Sequence, residues 1–255
     1  MVNIKSKKEI ALMEDVCKIV AKMYEEIEKH IKPGISTYEL NKIAEKIMRD
    51  LGGVPAQIGY DIGVKGVPPY PAATCMSVND EVIHGIPSKN RILQEGDIIS
   101  VDTVILKNGF HGDAARTFKV GKVSKEAEKL IEVTKQAFFE GIKYATVGNR
   151  VGDIGHAIGE FVKSHGYSVV KEFQGHGIGR QMHEEPGVPN YGKAGRGIRL
   201  EPGMTIAVEP MVIVGNSEIL ELEDGWTIMT RDGSLSCHYE NTILITEKEP
   251  KILTL

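Results

Sequence analysis

The chain is 255 residues long, 41% hydrophobic and 26% charged, with a net charge of −4. That is enough length for a substantial buried core, and the slightly acidic balance argues against a dedicated nucleic-acid binder. No apolar run approaches the ~20 residues that span a bilayer, and the N-terminal MVNIKSKKEIALMEDV lacks the uninterrupted apolar stretch of a signal peptide.

Ile10, Met13, Cys17, Val20, Tyr24, Ile27 and Ile31 recur at helical spacing and predict a helix over 6–31, ended by Pro33-Gly34. Ser36-Thr37-Tyr38-Glu39 is a capping box that opens a second helix, with Leu40, Ile43, Ala44, Ile47 and Leu51 inward and Gly52-Gly53 as its stop. A Gly- and Pro-rich loop and short strands follow, through residue 120. Within them DTVILKNGFHGD, residues 102–113, predicts a β-hairpin turning at Lys107-Asn108-Gly109. A two-residue loop at 107–108 pairs Asp102 with Asp113, and one at 108–109 makes them diagonal neighbours. Either way both carboxylates leave the same face. Ser124 caps a helix to about Ala145, and Asp153 to His165 forms another, stopped by Gly166. The remaining chain reads as strands interrupted by a loop over 184–199. Three widely spaced cysteines, Cys17, Cys75 and Cys237, form no Cys-x-x-Cys pair and predict free thiols in a reducing compartment, hence a cytoplasmic location.

The second half repeats the first. KPGISTYELNKIAEKIMRDLGG lies over TVGNRVGDIGHAIGEFVKSHGY, so that Gly34 meets Gly148 and Gly52 meets Gly166. His84-Gly85-Ile86 resembles His176-Gly177-Ile178, LQEGDIISVD lies over LEPGMTIAVE, and FHGD lies over CHYE. Asp102 thereby falls on Glu209, and Asp113 on Glu240. The shared order predicts an α+β fold: a single domain over 1–255 made of two halves, about 5–122 and 123–250, related by an approximate two-fold and facing one cleft.

Asp102, Glu209 and Glu240 are embedded in apolar, β-forming runs. For any one acid a solvated strand face is the default. Around Asp102 and Glu240, however, apolar neighbours on both sides make such a face hard to keep wet. Four acids at paired positions of a duplicated unit repel one another, no Lys or Arg recurs beside all of them, and one or two divalent cations are the economical neutraliser. Such a site wants an imidazole for a borderline metal. His176, framed by two glycines that let backbone or ligand come close, is the candidate, with His183 nearby and His84 as its repeat partner. His30, His111, His156, His165 and His238 read as structural or exposed.

At these residues the sequence resembles the pita-bread metallopeptidases. The contexts DTVILKNGFHGD, GHGIG, AVEPM and HYENT look like the five-ligand set Asp102, Asp113, His176, Glu209 and Glu240. HGIP, GHGIGRQMHEEP and DGWTIMTRDGSLSCHYE are similar to the type I methionine aminopeptidases, along nearly the whole chain. The resemblance implies the pita-bread fold, antiparallel sheet with helices on its outer face, and two divalent ions. Asp113 and Glu240 would bridge them, Asp102 would hold one, and His176 and Glu209 the other. It implies hydrolytic removal of the N-terminal methionine from nascent chains, with a small second residue preferred. Glu209 would accept a proton, His183 would hydrogen-bond the scissile carbonyl, and His84 would serve the scissile nitrogen. Tyr70, Cys75, Met182 and Trp226 would line the methionine pocket, whose apolar, polarisable surfaces suit a thioether. The ligand chemistry suits Mn²⁺, Fe²⁺, Co²⁺ or Zn²⁺ alike. The expected partners are nascent N-termini at the ribosome, with no nucleic-acid or membrane signal, and the expected state is a monomer.

The loop DIGVKGVPPYP is longer than the family's usual one, no cysteine stands near Gly59, and Met182 stands where an aromatic residue is common. Two competing readings are an X-Pro aminopeptidase and a non-catalytic binding protein on the same fold. The absent N-terminal domain and the HGIP and DGWT contexts count against the first, and the complete ligand set against the second.

Overall fold

The computed structural model describes residues 2–255. Ser6 caps helix α1 (Lys7–Ile27): its hydroxyl takes the Glu9 N–H, and the Glu9 carboxylate reaches back to the Ser6 N–H at 2.9 Å. The helix buries Met13, Val16, Cys17, Val20, Met23 and Ile27 along one stripe. It stops sooner than the spacing predicts, because Glu28–His30 tightens into a 3₁₀ turn ahead of Pro33. The predicted capping box of helix α2 (Thr37–Asp50) is present, with Ser36 and Glu39 exchanging both bonds at 3.1 Å. Helix α3 (Lys125–Ile142) is capped by Ser124 as predicted. Helix α4 (Val151–Ser164) begins ahead of the predicted Asp153, because that carboxylate caps the helix, taking the Arg150 N–H at 2.7 Å.

The strands are β1 (Val54–Pro55), β2 (Cys75–Val78), β3 (Glu81–Ile83), β4 (Ile98–Lys107), β5 (Phe110–Lys119), β6 (Ser168–Val169), β7 (Gly175–Gly177) and β8 (Glu184–Val188). After them come β9 (Thr205–Val208), β10 (Met211–Ile213), β11 (Ile219–Glu221), β12 (Ile228–Thr230), β13 (Ser236–His238), β14 (Glu240–Leu244) and β15 (Lys251–Ile252). The main antiparallel sheet runs β1-β4-β5-β14-β9-β7-β8, with β2 added on β4 and β15 on β14. The loop expected over 184–199 is corrected at its start: residues 184–188 pair with β7 as an edge strand. An edge tolerates the proline and glycine that made this segment read as loop.

Each helix pair covers its own half of the sheet. One core joins α1 and α2 to Val101, Ile105 and Phe110, and the other joins α3 and α4 to Ile206, Val208 and Ile243. Repeat-matched positions adopt matched backbones: φ is 92° at Gly34 and 95° at Gly148, and 80° at Gly52 and 82° at Gly166. The isolated bridge Ser36–Ile92 has its counterpart in Arg150–Arg199. The halves join where β5 meets β14, with Ala114 opposite Asn241 and Ala115 opposite Glu240.

Candidate metal centre

The hairpin β4–β5 turns at Asn108-Gly109, both left-handed at φ 52° and 78°, as a two-residue turn of the primed kind requires. This is the second of the two registers the sequence allows. Asp113 sits opposite Val104 and Asp102 opposite Ala115, so the two carboxylates are diagonal neighbours on one face. Ala115 also faces Glu240 across the seam. Asp102, Ala115 and Glu240 therefore form one row over three strands, with Asp113 beside the small Ala115. Glu209 follows directly after β9, and His176 is the middle residue of β7. The glycines that frame His176 are required by close approach: a Cβ at Gly175 would strike the Ala207 carbonyl, and one at Gly177 the Glu185 carbonyl.

His176 Nε2 lies 3.6 Å from Asp113 Oδ2 and 3.6 Å from Glu209 Oε1. Asp113, His176 and Glu240 each offer a ligand atom, all within 4.8 Å of one another. Asp113 and Glu240 are 4% and 2% exposed, and Asp113 Oδ1 and Glu240 Oε1 are buried without a hydrogen-bond partner. His176 Nδ1 is 2.9 Å from the Gly177 carbonyl, which can only accept, so the ring's proton is on Nδ1 and Nε2 presents a lone pair to the acids. The nearest guanidinium does not neutralise them. Arg116 donates to the Glu240 backbone carbonyl, to Asn241 Oδ1 at 2.6 Å and to the Thr254 carbonyl at 3.2 Å, over the rings of Tyr24 and Tyr239.

Without a cation, burial favours the protonated form of the acids. Burial, offset in part by the Cys75 and Gln57 side chains, raises Asp102 to about 7. Burial and then neighbouring carboxylates raise Asp113, Glu209 and Glu240 well above the usual range. Burial lowers His176 to about 3, so its imidazole is neutral and free to ligate. Unpartnered carboxylate oxygens around an imidazole lone pair fit a borderline divalent cation.

The acids floor a cavity of about 360 Å³. Its wall carries the other six residues singled out from the sequence: His84, His183, Tyr70, Cys75, Met182 and Trp226. Tyr70 and Trp226 meet edge to face at 5.1 Å; Tyr70 donates to the Gly85 carbonyl at 2.9 Å and Trp226 Nε1 to the Pro68 carbonyl at 2.8 Å. His84 takes a left-handed backbone, φ 59°, and its ring meets Phe173 and Trp226 edge-on. Burial lowers it to about 4. His183 lies edge-on to His176 at 4.5 Å, with its Nδ1 2.7 Å from the Tyr60 hydroxyl.

Sequence reasoning missed several neighbours of the site. Gln57 holds Asp102 Oδ1 at 3.5 Å, Tyr60 holds His183, and Phe173 backs His84. Asn190 donates to the Glu209 carbonyl at 2.9 Å. Tyr60 carried a faint signal, an aromatic residue in a Gly- and Pro-rich loop; Gln57 and Asn190 carried none.

The profile of Metallopeptidase family M24 matches residues 11–247. The methionine aminopeptidase of Clostridium acetobutylicum is 50% identical over 255 residues, covering 100% of this chain and 99% of that one. The crystal structure of methionine aminopeptidase from Rickettsia prowazekii superposes with a TM-score of 0.95 at 38% identity, covering 100% of both chains. That of the Thermotoga maritima enzyme gives a TM-score of 0.95 at 42% identity over 100% of this chain and 99% of that one. With donor set, cavity and full-length similarity in agreement, the chain belongs to metallopeptidase family M24 and has the pita-bread fold.

Proposed function

We propose that this enzyme removes the N-terminal methionine from peptides and nascent proteins by metal-dependent hydrolysis. The observation that carries the reading is the buried donor set, with its unpartnered oxygens, at the floor of a cavity walled by Tyr70, Cys75, Met182 and Trp226. Asp102, Asp113, His176, Glu209 and Glu240 would hold two divalent ions from among Mn²⁺, Fe²⁺, Co²⁺ and Zn²⁺. Bound there, such ions would lower the pKa of water and polarise a carbonyl.

The chain's own groups do the rest. Glu209 takes the proton from the attacking water. With the Tyr60 hydroxyl, 2.7 Å from His183 Nδ1, acting as donor, the ring proton would stay on Nε2 to hydrogen-bond the carbonyl oxygen as charge develops. His84, neutral at working pH, serves the scissile nitrogen and the leaving amine. Apolar and aromatic walls take the unbranched thioether, and the two histidines crowd the next subsite, so a small second residue is preferred. The whole chain acts as one catalytic unit with halves at about 5–122 and 123–250, as a monomer in the cytoplasm, on nascent N-termini at the ribosome. Three buried free thiols and the absence, among the described residues, of a helix long and apolar enough to cross a membrane are compatible with that location.

With Mn²⁺ or Co²⁺ added, the protein is expected to release methionine from Met-Ala-Ser and nothing from Ala-Pro-Ala. Glu240→Ala should lower that rate at least about 100-fold, the upper end of what loss of an outer-shell contact costs. Hydrolysis unchanged in Glu240→Ala would end the metallopeptidase reading, and preference for Ala-Pro-Ala would replace it with X-Pro cleavage.

A further inference from the structure

One imidazole behind the metal centre has no assigned task. His238 ends β13, is 2% exposed and does not line the cavity. Its main chain is fixed on both sides by one hydroxyl: the Thr117 hydroxyl donates to the His238 carbonyl at 2.9 Å, and the His238 N–H donates to Thr117 Oγ1 at 3.1 Å. Its main chain is therefore held in place, and both ring nitrogens are buried without a hydrogen-bond partner. Buried polar atoms in that state are uncommon and call for a reason. The carboxylate nearest to the ring supplies one. His238 Nε2 lies 3.8 Å from Glu209 Oε2, while the other oxygen, Oε1, lies 3.6 Å from His176 Nε2.

Glu209 thus stands between two imidazoles that differ in kind. The proton of His176 is committed to the Gly177 carbonyl, so its Nε2 shows Oε1 a lone pair. Lone pair against lone pair leaves a place for a cation. A neutral His238 carries one N–H, and Glu209 Oε2 is the acceptor in front of its Nε2. The Glu209 main chain is itself held, its carbonyl accepting from Asn190 Nδ2 at 2.9 Å. We infer that His238 is a positioning residue for Glu209: with a cation bound, its Nε2–H would close on Oε2, 3.8 Å away in this structure, and leave Oε1 to the cation shared with His176. Outer partners of this kind fix which oxygen of a carboxylate faces the metal. The inference rests on the reading of Glu209 as a metal ligand.

The test compares the wild-type chain with His238→Leu and His238→Gln, measuring Mn²⁺ affinity by calorimetry and kcat and KM on Met-Ala-Ser. Leucine fills the space without a donor and should weaken Mn²⁺ binding about 10–100-fold, lowering kcat more than it raises KM. Glutamine, whose amide N–H reaches the same oxygen, should recover most of that loss. Mn²⁺ affinity in His238→Leu equal to wild type, or no recovery in His238→Gln, overturns the inference. Should the leucine variant fail to fold, ¹⁵N-histidine spectra of the wild-type protein, metal-free and Zn²⁺-loaded, still decide, with the His238 signal assigned by its loss in His238→Gln. A proton on Nε2 supports the inference, and a proton on Nδ1 overturns it. A wild-type protein that neither binds Mn²⁺ nor releases methionine would instead overturn the metallopeptidase reading, whatever the variants do.

Discussion

His111 and His238 carry the same local signal, an imidazole two residues before an acid in repeat-matched segments, FHGD and CHYE. They meet different fates. His111 turns from the acids to the Gly179 carbonyl, its ring Nδ1 at 3.1 Å and its backbone N–H at 2.8 Å. His238 lies beside Glu209 because it ends β13 in a separate three-stranded sheet, one residue before the chain crosses at Tyr239 into the main sheet at Glu240. Asp113 gives the sharpest residue-scale prediction. Burial and then the neighbouring Asp102 raise its carboxyl well above the usual range in the metal-free protein, so Asp113→Asn keeps the shape while removing a charge that burial already disfavours. The metal-free variant should melt at or above the wild-type temperature, lose the rise that Mn²⁺ gives the wild type, and lose methionine release. Calorimetric melts with and without Mn²⁺ check this, and an unchanged Mn²⁺ shift would show that Asp113 is not a ligand.

At the scale of elements, two glycines that look alike in sequence do different work. Gly109 sits in an exposed turn at φ 78°, next to open space, and only its backbone conformation needs glycine. Gly109→Val should cost about 1–2 kcal/mol, the penalty of a left-handed side-chain-bearing residue. A chain of this size then melts roughly 2–8 °C lower, with kcat little changed because the ladder beyond the turn still fixes the register. Gly177 is buried where β7, β8 and β9 meet. A methyl group there meets the backbone of Glu184 and Glu185, which cannot swing aside as a side chain can. Gly177→Ala should cost about 1–3 kcal/mol and, by displacing His176 and the strand that follows His183, lower kcat as well. Melting temperature and kcat measured on both variants separate the two effects. Loss of activity in Gly109→Val with none in Gly177→Ala would reverse the assignment.

Across the whole molecule the acids lie at the seam between two separately cored halves, so a cation held by Asp113 and Glu240 would tie β5 of one half to β14 of the other. Anything that binds only the folded chain stabilises it, by about 2.7 kcal/mol at a concentration 100 times its Kd. Its pH dependence has a definite sign. His176 is already neutral, with its proton-binding range pushed down to about 3, so the protons displaced by the metal come from the carboxyls. These have raised values, Asp102 at about 7 and the others above the usual range. Raised acids bind protons in the folded, metal-free state and release them when a cation arrives. Mn²⁺ affinity should therefore tighten from pH 6 to 8. Calorimetry at pH 6 in two buffers of different ionisation enthalpy should show net proton release, and no release would mean that the acids are already ionised without metal.

Much of this was legible from residue types and their order alone. Caps at Ser36 and Ser124, helical stripes, the duplicated order of glycines and acids, and the improbability of carboxylates in apolar strands are local or pairwise properties, and they carried the fold class and the need for a cation. Other features depended on how distant segments meet. The hairpin's turn was undecided between two registers by sequence, and pairing along β4 and β5 selected Asn108-Gly109. Residues 184–188 read as loop until β7 offered them an edge. Gln57, Tyr60 and Asn190 acquired partners, and His238 a place beside Glu209, through contacts that no periodicity encodes. Side-chain chemistry is written one residue at a time, whereas the distance between Glu209 and the imidazoles on either side of it exists only once β7 and β9 have paired and β13 of a second sheet has been brought against them.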